Sequence, residues 1–205
     1  MNFPFSKVVA ILSDKHQISE ERKSAFRGRL AHMQRLKFPI GINTGRGKPC
    51  SYSWRELLLL GIAIEFMEIG ATPDRCVADI NRFEEKFLDT LRKLSGPKVI
   101  STENRDKFDS ILITDLSSIR ELKSPVVEFG NCQIVSLLKA QAILMSGGNA
   151  VIRSPYAMID LRQFLATLAA SVGAIYGMNS EEVQNELELW SASMSPASDI
   201  RRAVA

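Results

Sequence analysis

The sequence predicts an α+β protein that is mostly helical, and three observations lead to this prediction. Apolar residues recur at helical spacing through much of residues 4–94 and again through residues 158–191. Between these regions, short runs rich in β-branched residues indicate strands. Apolar residues make up 45% of the chain and charged residues 24%, which is an ordinary globular balance.

A change of pattern at Gly96-Pro97 predicts a domain boundary, because these two residues interrupt both helices and strands. We therefore expect an amino-terminal domain over residues 1–95 and a small α+β domain over residues 98–192. Residues 193–205 are expected to form a flexible tail.

Two helices are predicted before residue 40. Residues 4–15 carry apolar side chains at helical spacing. A second helix is predicted over residues 19–37, with Ser19 as its N-cap and two glutamates in its first turn. Pro39 ends this helix, since proline disfavours helical geometry in the residue before it.

The third helix is predicted to begin at Ser53, which forms a capping box with Glu56. It is apolar on most sides, as buried helices are, and Gly70 ends it. Pro73 then opens a fourth helix that extends to about Leu94.

Short strands are predicted in the second half over residues 99–101, 110–114, 126–129, 132–137 and 150–153, with 132–137 pairing with 126–129. Helices are predicted over residues 136–145, 158–176 and 180–191. The apolar stripe of the helix at 158–176 is expected to form core or a dimer interface rather than a ligand pocket.

The charge is distributed unevenly. Residues 1–60 carry 11 Lys or Arg against 4 Asp or Glu, whereas residues 61–205 carry 15 against 19. A basic amino-terminal segment on a mildly acidic remainder is typical of a module that binds a polyanion. An ordinary solvated surface is the alternative.

The helix predicted over residues 19–37 has two distinct faces on a helical wheel. One face is apolar and carries Phe26, Leu30, Met33 and Leu36. The opposite face has small residues along its centre with cations and an amide beside them: Ser24, Gly28, Ala31, Arg27, Gln34 and Arg35. Small residues let a backbone approach a surface, and arginine or amide groups can bond base edges and phosphates. The alternative for Gly28 is a bend or a close contact with another helix.

Residues 40–52 predict a Gly-rich wing, whose tip carries Asn43, Arg46 and Lys48. Cations and free backbone amides at such a tip suit contact with phosphates. A nucleotide-binding loop is excluded, because the spacing from Gly41 to Gly47 is one residue too long. Pro49 also stands where that motif needs a hydroxyl for magnesium.

Together these parts resemble the winged helix-turn-helix of the mercury-resistance (MerR-type) regulators over residues 4 to about 85. The resemblance rests on Tyr52-Ser53, on residues 68–73, on Phe38-Pro39 after the helix, and on Phe26-Arg27-Gly28-Arg29-Leu30-Ala31-His32-Met33-Gln34-Arg35. It implies that Arg27, Arg29, Ala31 and Arg35 lie on a recognition helix and that Arg46 and Lys48 lie on the wing. On the wheel, Arg29 lies towards the buried side. The long dimerising coiled coil and the clustered cysteines of metal-sensing members are not evident.

Little in the second half suggests catalysis. Both histidines, His16 and His32, lie in the amino-terminal segment, so a nucleophile–histidine site has no base there. The cysteines at positions 50, 76 and 132 are widely spaced, which argues against a disulfide framework or a metal cluster. We expect no enzyme activity, no cofactor and no metal.

The sequence therefore predicts a sequence-specific transcription regulator of bacterial or phage type. Its expected partners are double-stranded DNA and a second copy of the chain, with RNA polymerase or another regulator as a further candidate. No apolar run is long enough for a membrane span and the start lacks a secretory layout, so a cytoplasmic, nucleoid-associated protein is expected. The alternatives are a protein-interaction or phage-assembly adaptor, and a regulator gated by a small molecule that binds within residues 98–205.

Overall fold

The computed structural model describes residues 1–42, 50–96, 108–114, 132–145 and 157–193. The fold is α+β and mostly helical, as predicted. In chain order the described elements are β1 (Phe3–Pro4), α1 (Phe5–Lys15), a 3₁₀ helix (Glu20–Arg22), α2 (Lys23–Arg35), β2 (Ser51–Tyr52), α3 (Trp54–Glu68), α4 (Pro73–Ser95), β3 (Asp109–Thr114), β4 (Gln133–Ser136), α5 (Leu137–Met145), β5 (Ala157–Asp160), α6 (Leu161–Tyr176) and α7 (Ser180–Ser193).

The second helix differs from its prediction at both ends. The Ser19 side chain makes no capping hydrogen bond. Instead its carbonyl accepts from the Arg22 amide at 2.9 Å, which closes a 3₁₀ turn. The α-helix starts only at Lys23 and ends at Arg35, so it is shorter than residues 19–37.

Backbone hydrogen bonds, not Pro39 alone, end α2. The Lys37 amide donates to the Gln34 carbonyl (2.9 Å), and the Phe38 amide donates to the Met33 carbonyl (3.0 Å). This is the Schellman pattern, and it requires a left-handed residue, here Lys37 at φ 59°. Phe38 is buried directly after that turn.

The same pattern ends two more helices. After α1 the left-handed residue is Gln17 (φ 49°), and after α3 it is Gly70 (φ 101°). The Gly70 position is confirmed as predicted. The start of α3 is also confirmed, because Ser53 and Glu56 form the capping box.

The second sheet has the strand order β4-β3-β5, and both pairs are antiparallel. β4 pairs with β3. The predicted pairing of residues 132–137 with 126–129 stays a prediction, because residues 126–129 lie outside the described part, as do 99–101 and 150–153. The helix predicted from residue 158 starts at Leu161, because residues 157–160 pair with β3 as β5. Asp160 then caps α6 through its carboxylate.

One hydrophobic core runs through the helices on both sides of Gly96. α6 packs on α1, and α7 packs on α4. The rings of Phe87 in α4 and Phe164 in α6 lie 6.4 Å apart between centroids. The apolar stripe of α6 is therefore core, and the described residues of the two predicted domains share one interior. A smaller cluster lies between α5 and the sheet.

No helix in the described ranges is long and apolar enough to cross a membrane.

Candidate nucleic-acid interface

The face of α2 opposite its apolar stripe lies on the surface. Phe26, Leu30 and Met33 are buried as predicted, whereas Leu36 is only half-buried. On the other side, Ser24, Arg27, Gly28, Arg29 and Arg35 are exposed, and Ala31 and Gln34 are half-buried. Asn43, Arg46 and Lys48, which were predicted for the wing tip, lie outside the described residues.

Gly28 has open space beside it among the described residues. A Cβ built on Gly28 would meet no atom of the described residues within 4 Å. The alternative explanation, a close contact with a neighbouring helix, therefore has no support within the described part of the chain. Because Gly28 has no side chain, the helix backbone is uncovered at the centre of the exposed face.

The charge on α2 has a single sign. The helix carries Lys23, Arg27, Arg29 and Arg35 and no Asp or Glu. Lys23 pairs with Glu20. Within the described ranges, no ion pair involves the three arginines. Arg29, which the wheel placed towards the buried side, is exposed and flanks the face.

One edge of this face rests on two aromatic rings, that of Phe5 at the start of α1 and that of Tyr52 in β2, a contact that the helical spacing of α2 does not predict. The guanidinium carbon of Arg27 lies 5.8 Å from the centroid of the Phe5 ring. Phe5 stacks on Tyr52, with centroids 6.1 Å apart. The Nε2 atom of Gln34 donates a hydrogen bond to the Tyr52 hydroxyl. Burial raises the pKa of Tyr52 to about 12, so the phenol stays protonated at neutral pH.

The other edge of the face leads to α4. The Nη2 atom of Arg35 lies 3.3 Å from Nδ1 of His32, and Nε2 of His32 lies 3.7 Å from the Asp74 carboxylate. These contacts orient Arg35 along the helix rather than neutralise it, because its own neighbour is an imidazole. Arg35 remains exposed.

Arg55 secures the chain where it leaves α2. Its Nη1 donates to the Ile40 carbonyl at 3.1 Å, and its guanidinium also pairs with Glu56 and Glu84. Burial alone would raise the pKa of Glu56, but hydrogen bonds from Ser53 and Arg55 hold it below its ordinary value. Arg55 is therefore a structural cation, and the candidate interface does not include it.

A second polar cluster joins α1 to α3 beside a cleft of about 470 Å³. Lys15 pairs with Glu65, and Nδ1 of His16 lies 2.8 Å from the Glu68 carboxylate. Burial and the neighbouring Lys15 lower the pKa of His16, and Glu68 opposes them only in part. Because these charged groups pair with one another within the chain, the cluster holds α1 and α3 together.

The three cysteines lie outside the α2 face. None of the three cysteines, all of which are described, forms a disulfide. Burial raises the pKa of both Cys76 and Cys132 to about 12, which disfavours the reactive thiolate. No group of His, Cys, Asp and Glu side chains in the described ranges is arranged to hold a metal ion.

No family model, curated protein or solved structure matches this chain. The geometry of α2 and its surroundings is therefore the basis for assigning a function.

Proposed function

We propose that this protein is a sequence-specific DNA-binding transcription regulator of bacterial or phage type, built on a winged helix-turn-helix. Helix α2 is the recognition helix and enters the major groove. Residues 40–52 form the wing and contact the DNA backbone. The order of α1, α2, β2 and α3 along the chain supports this arrangement.

The observation that carries the proposal is the exposed face of α2. Gly28 lies at its centre, where no other described residue comes within 4 Å of the position of a Cβ, and the exposed arginines Arg27 and Arg35 flank it. A helix that enters a groove needs small residues where its backbone approaches the bases. It also needs donors beside them, since arginine binds guanine edges and phosphates through its fork of N–H groups. A merely solvated helix face has no need for either.

We propose that the regulator acts as a homodimer. One helix and one wing bury too little surface for useful specificity, whereas two half-sites multiply it. The stripe of α6 does not supply the interface, because Phe164 and Leu168 are buried in the core. RNA polymerase or another regulator is the proposed further partner.

A fluorescence-anisotropy titration tests the proposal, with the duplex enriched from a randomised DNA library. We expect binding that weakens steeply with salt, because each phosphate contact releases a counterion. Arg27→Ala and Arg35→Ala should each weaken binding by about tenfold, the scale of a lost bidentate contact. Lys139→Ala removes an exposed positive charge from α5 and should leave the affinity unchanged. A salt-independent titration, or full affinity in both arginine variants, would contradict the proposal.

The alternative is a protein-interaction adaptor, and one observation favours it. Helix α5 exposes Leu138, Leu144 and Met145, which are apolar side chains suited to a protein partner. On this alternative the arginine face of α2 binds an acidic protein surface, and no duplex is enriched from the library.

A further inference from the structure

Two residues of the α2 face, Arg27 and Gln34, lie on the edge nearest the β1–β2 ribbon. Arg27 lies over the Phe5 ring and remains exposed. Gln34 is half-buried, and its Nε2 donates to the hydroxyl of Tyr52. Tyr52 is fully buried. Tyr52 therefore has no surface with which to contact DNA, although it is bonded to a residue on the proposed DNA-binding face.

The Tyr52 hydroxyl connects two elements that the proposed function needs in a fixed orientation. Tyr52 belongs to β2, which pairs with β1 through Phe3. The chain that leads from α2 to β2 passes through Ile40, whose carbonyl accepts a hydrogen bond from Arg55. The Gln34–Tyr52 hydrogen bond is a polar contact that ties α2 itself to the ribbon.

A displacement of about 1 Å in the elements that support a site is enough to lose function. On the basis of the proposed function, we infer that Gln34 and Tyr52 are a positioning pair. The pair fixes α2 against the β1–β2 ribbon, so Gln34 acts on DNA affinity through Tyr52 and not through a base. Direct contact with bases then falls to Ser24, Arg27, Ala31 and Arg35, while Gly28 lets the helix backbone approach.

The test is a double-mutant cycle of Gln34→Leu and Tyr52→Phe, read by anisotropy with the library-selected duplex and with a scrambled duplex. Tyr52→Phe removes only the hydroxyl, and Tyr176→Phe is the matched control. Among the described residues, the Tyr176 hydroxyl has no hydrogen-bond partner. All titrations are made well below the melting temperature of each variant, so that loss of folded protein does not lower the apparent affinity.

We expect Tyr52→Phe to weaken binding to the selected duplex by about fivefold, the effect of one hydrogen bond. Gln34→Leu should weaken it equally, and the double variant should be no weaker than either single one. The scrambled duplex and the slope with salt should change little, because the phosphate contacts remain. Tyr176→Phe should bind like the wild type.

The inference is overturned if Tyr52→Phe binds like the wild type, or if Gln34→Leu still weakens binding in the Tyr52→Phe background. The second result would show that Gln34 reads a base directly. Both results leave the proposed function standing, because the wild type still binds DNA. Failure of the wild type to bind any duplex would overturn the proposed function and this inference together.

Discussion

Gly61 of α3 lies directly against the ring of Phe164 in α6. A Cβ built on Gly61 would come within 3.0 Å of Phe164 Cζ and 3.1 Å of Cε2. These distances are tighter than most real Cβ contacts, so the ring would have to move by a few tenths of an ångström. The absence of a side chain at Gly61 therefore lets two helices from distant parts of the chain share one interior.

Gly61→Ala should destabilise the fold by about 1 kcal/mol, because overpacking costs more than the helix propensity that alanine adds. The free energy of unfolding in urea measures this. In the Phe164→Leu background the same substitution should cost less, since the ring that it meets is gone. Equal costs in both backgrounds would show that the two residues do not press on each other.

Gly28→Ala should have the opposite effect on stability and a separate effect on binding. Because the added Cβ meets nothing among the described residues, alanine should raise stability by about 0.5–1 kcal/mol through helix propensity alone. Gly28→Leu should fold equally well and lose affinity for the selected duplex, since its side chain fills the space above the helix. Urea denaturation and anisotropy measure the two effects. Full affinity in Gly28→Leu would exclude this face from the DNA contact.

Lys37→Gly should stabilise the protein by roughly 0.5–1 kcal/mol, because glycine adopts the left-handed turn after α2 without steric cost. Lys37 is exposed, so little packing is lost. Gly70→Ala is the reciprocal variant, and it should destabilise by a similar amount at φ 101°. Thermal and urea denaturation measure both changes. If Lys37→Gly were destabilising, the Lys37 side chain rather than the backbone would be stabilising that turn.

His16 should make stability fall as the solution is acidified below neutral pH. The folded protein holds the pKa of His16 below the ordinary value of 6.5 through burial and Lys15. Near that value the unfolded chain binds more protons, so stability declines as the pH falls from about 7.5 until the folded His16 also titrates. In the His16→Asn variant this decline should be absent. His32→Asn retains His16 and should still show it; an unchanged pH profile in His16→Asn would assign the decline to another group.

The parts of the fold that were predicted correctly depend on neighbours along the chain. Ser53 and Glu56 form their capping box within one turn, and Gly70 is where the sequence places the end of α3. The left-handed turn at Lys37 was missed, because lysine carries no local signal for that backbone conformation. The strand at 157–160 was missed for a different reason: Met158 also fits a helical stripe, and only its pairing with Ile113 of β3 makes it a strand.

The candidate site likewise has one part that the sequence predicts and one part that it does not. The exposed face of α2 follows from helical spacing, so Ser24, Gly28 and Arg35 could be placed from the sequence. The Gln34–Tyr52 hydrogen bond joins residues 18 positions apart across two elements. The helical spacing of residues within α2 does not predict that contact, because it forms only when β2 packs against the helix.

The shared interior also limits how such a chain can evolve. A cut after Ser95 would separate the Phe87 ring from Phe164 and remove the Gln184 side chain, whose amide donates to the Ser95 carbonyl at 3.2 Å. The helices before and after that point therefore depend on each other for their core, so a substitution in α6 must be accommodated by α3 and α4.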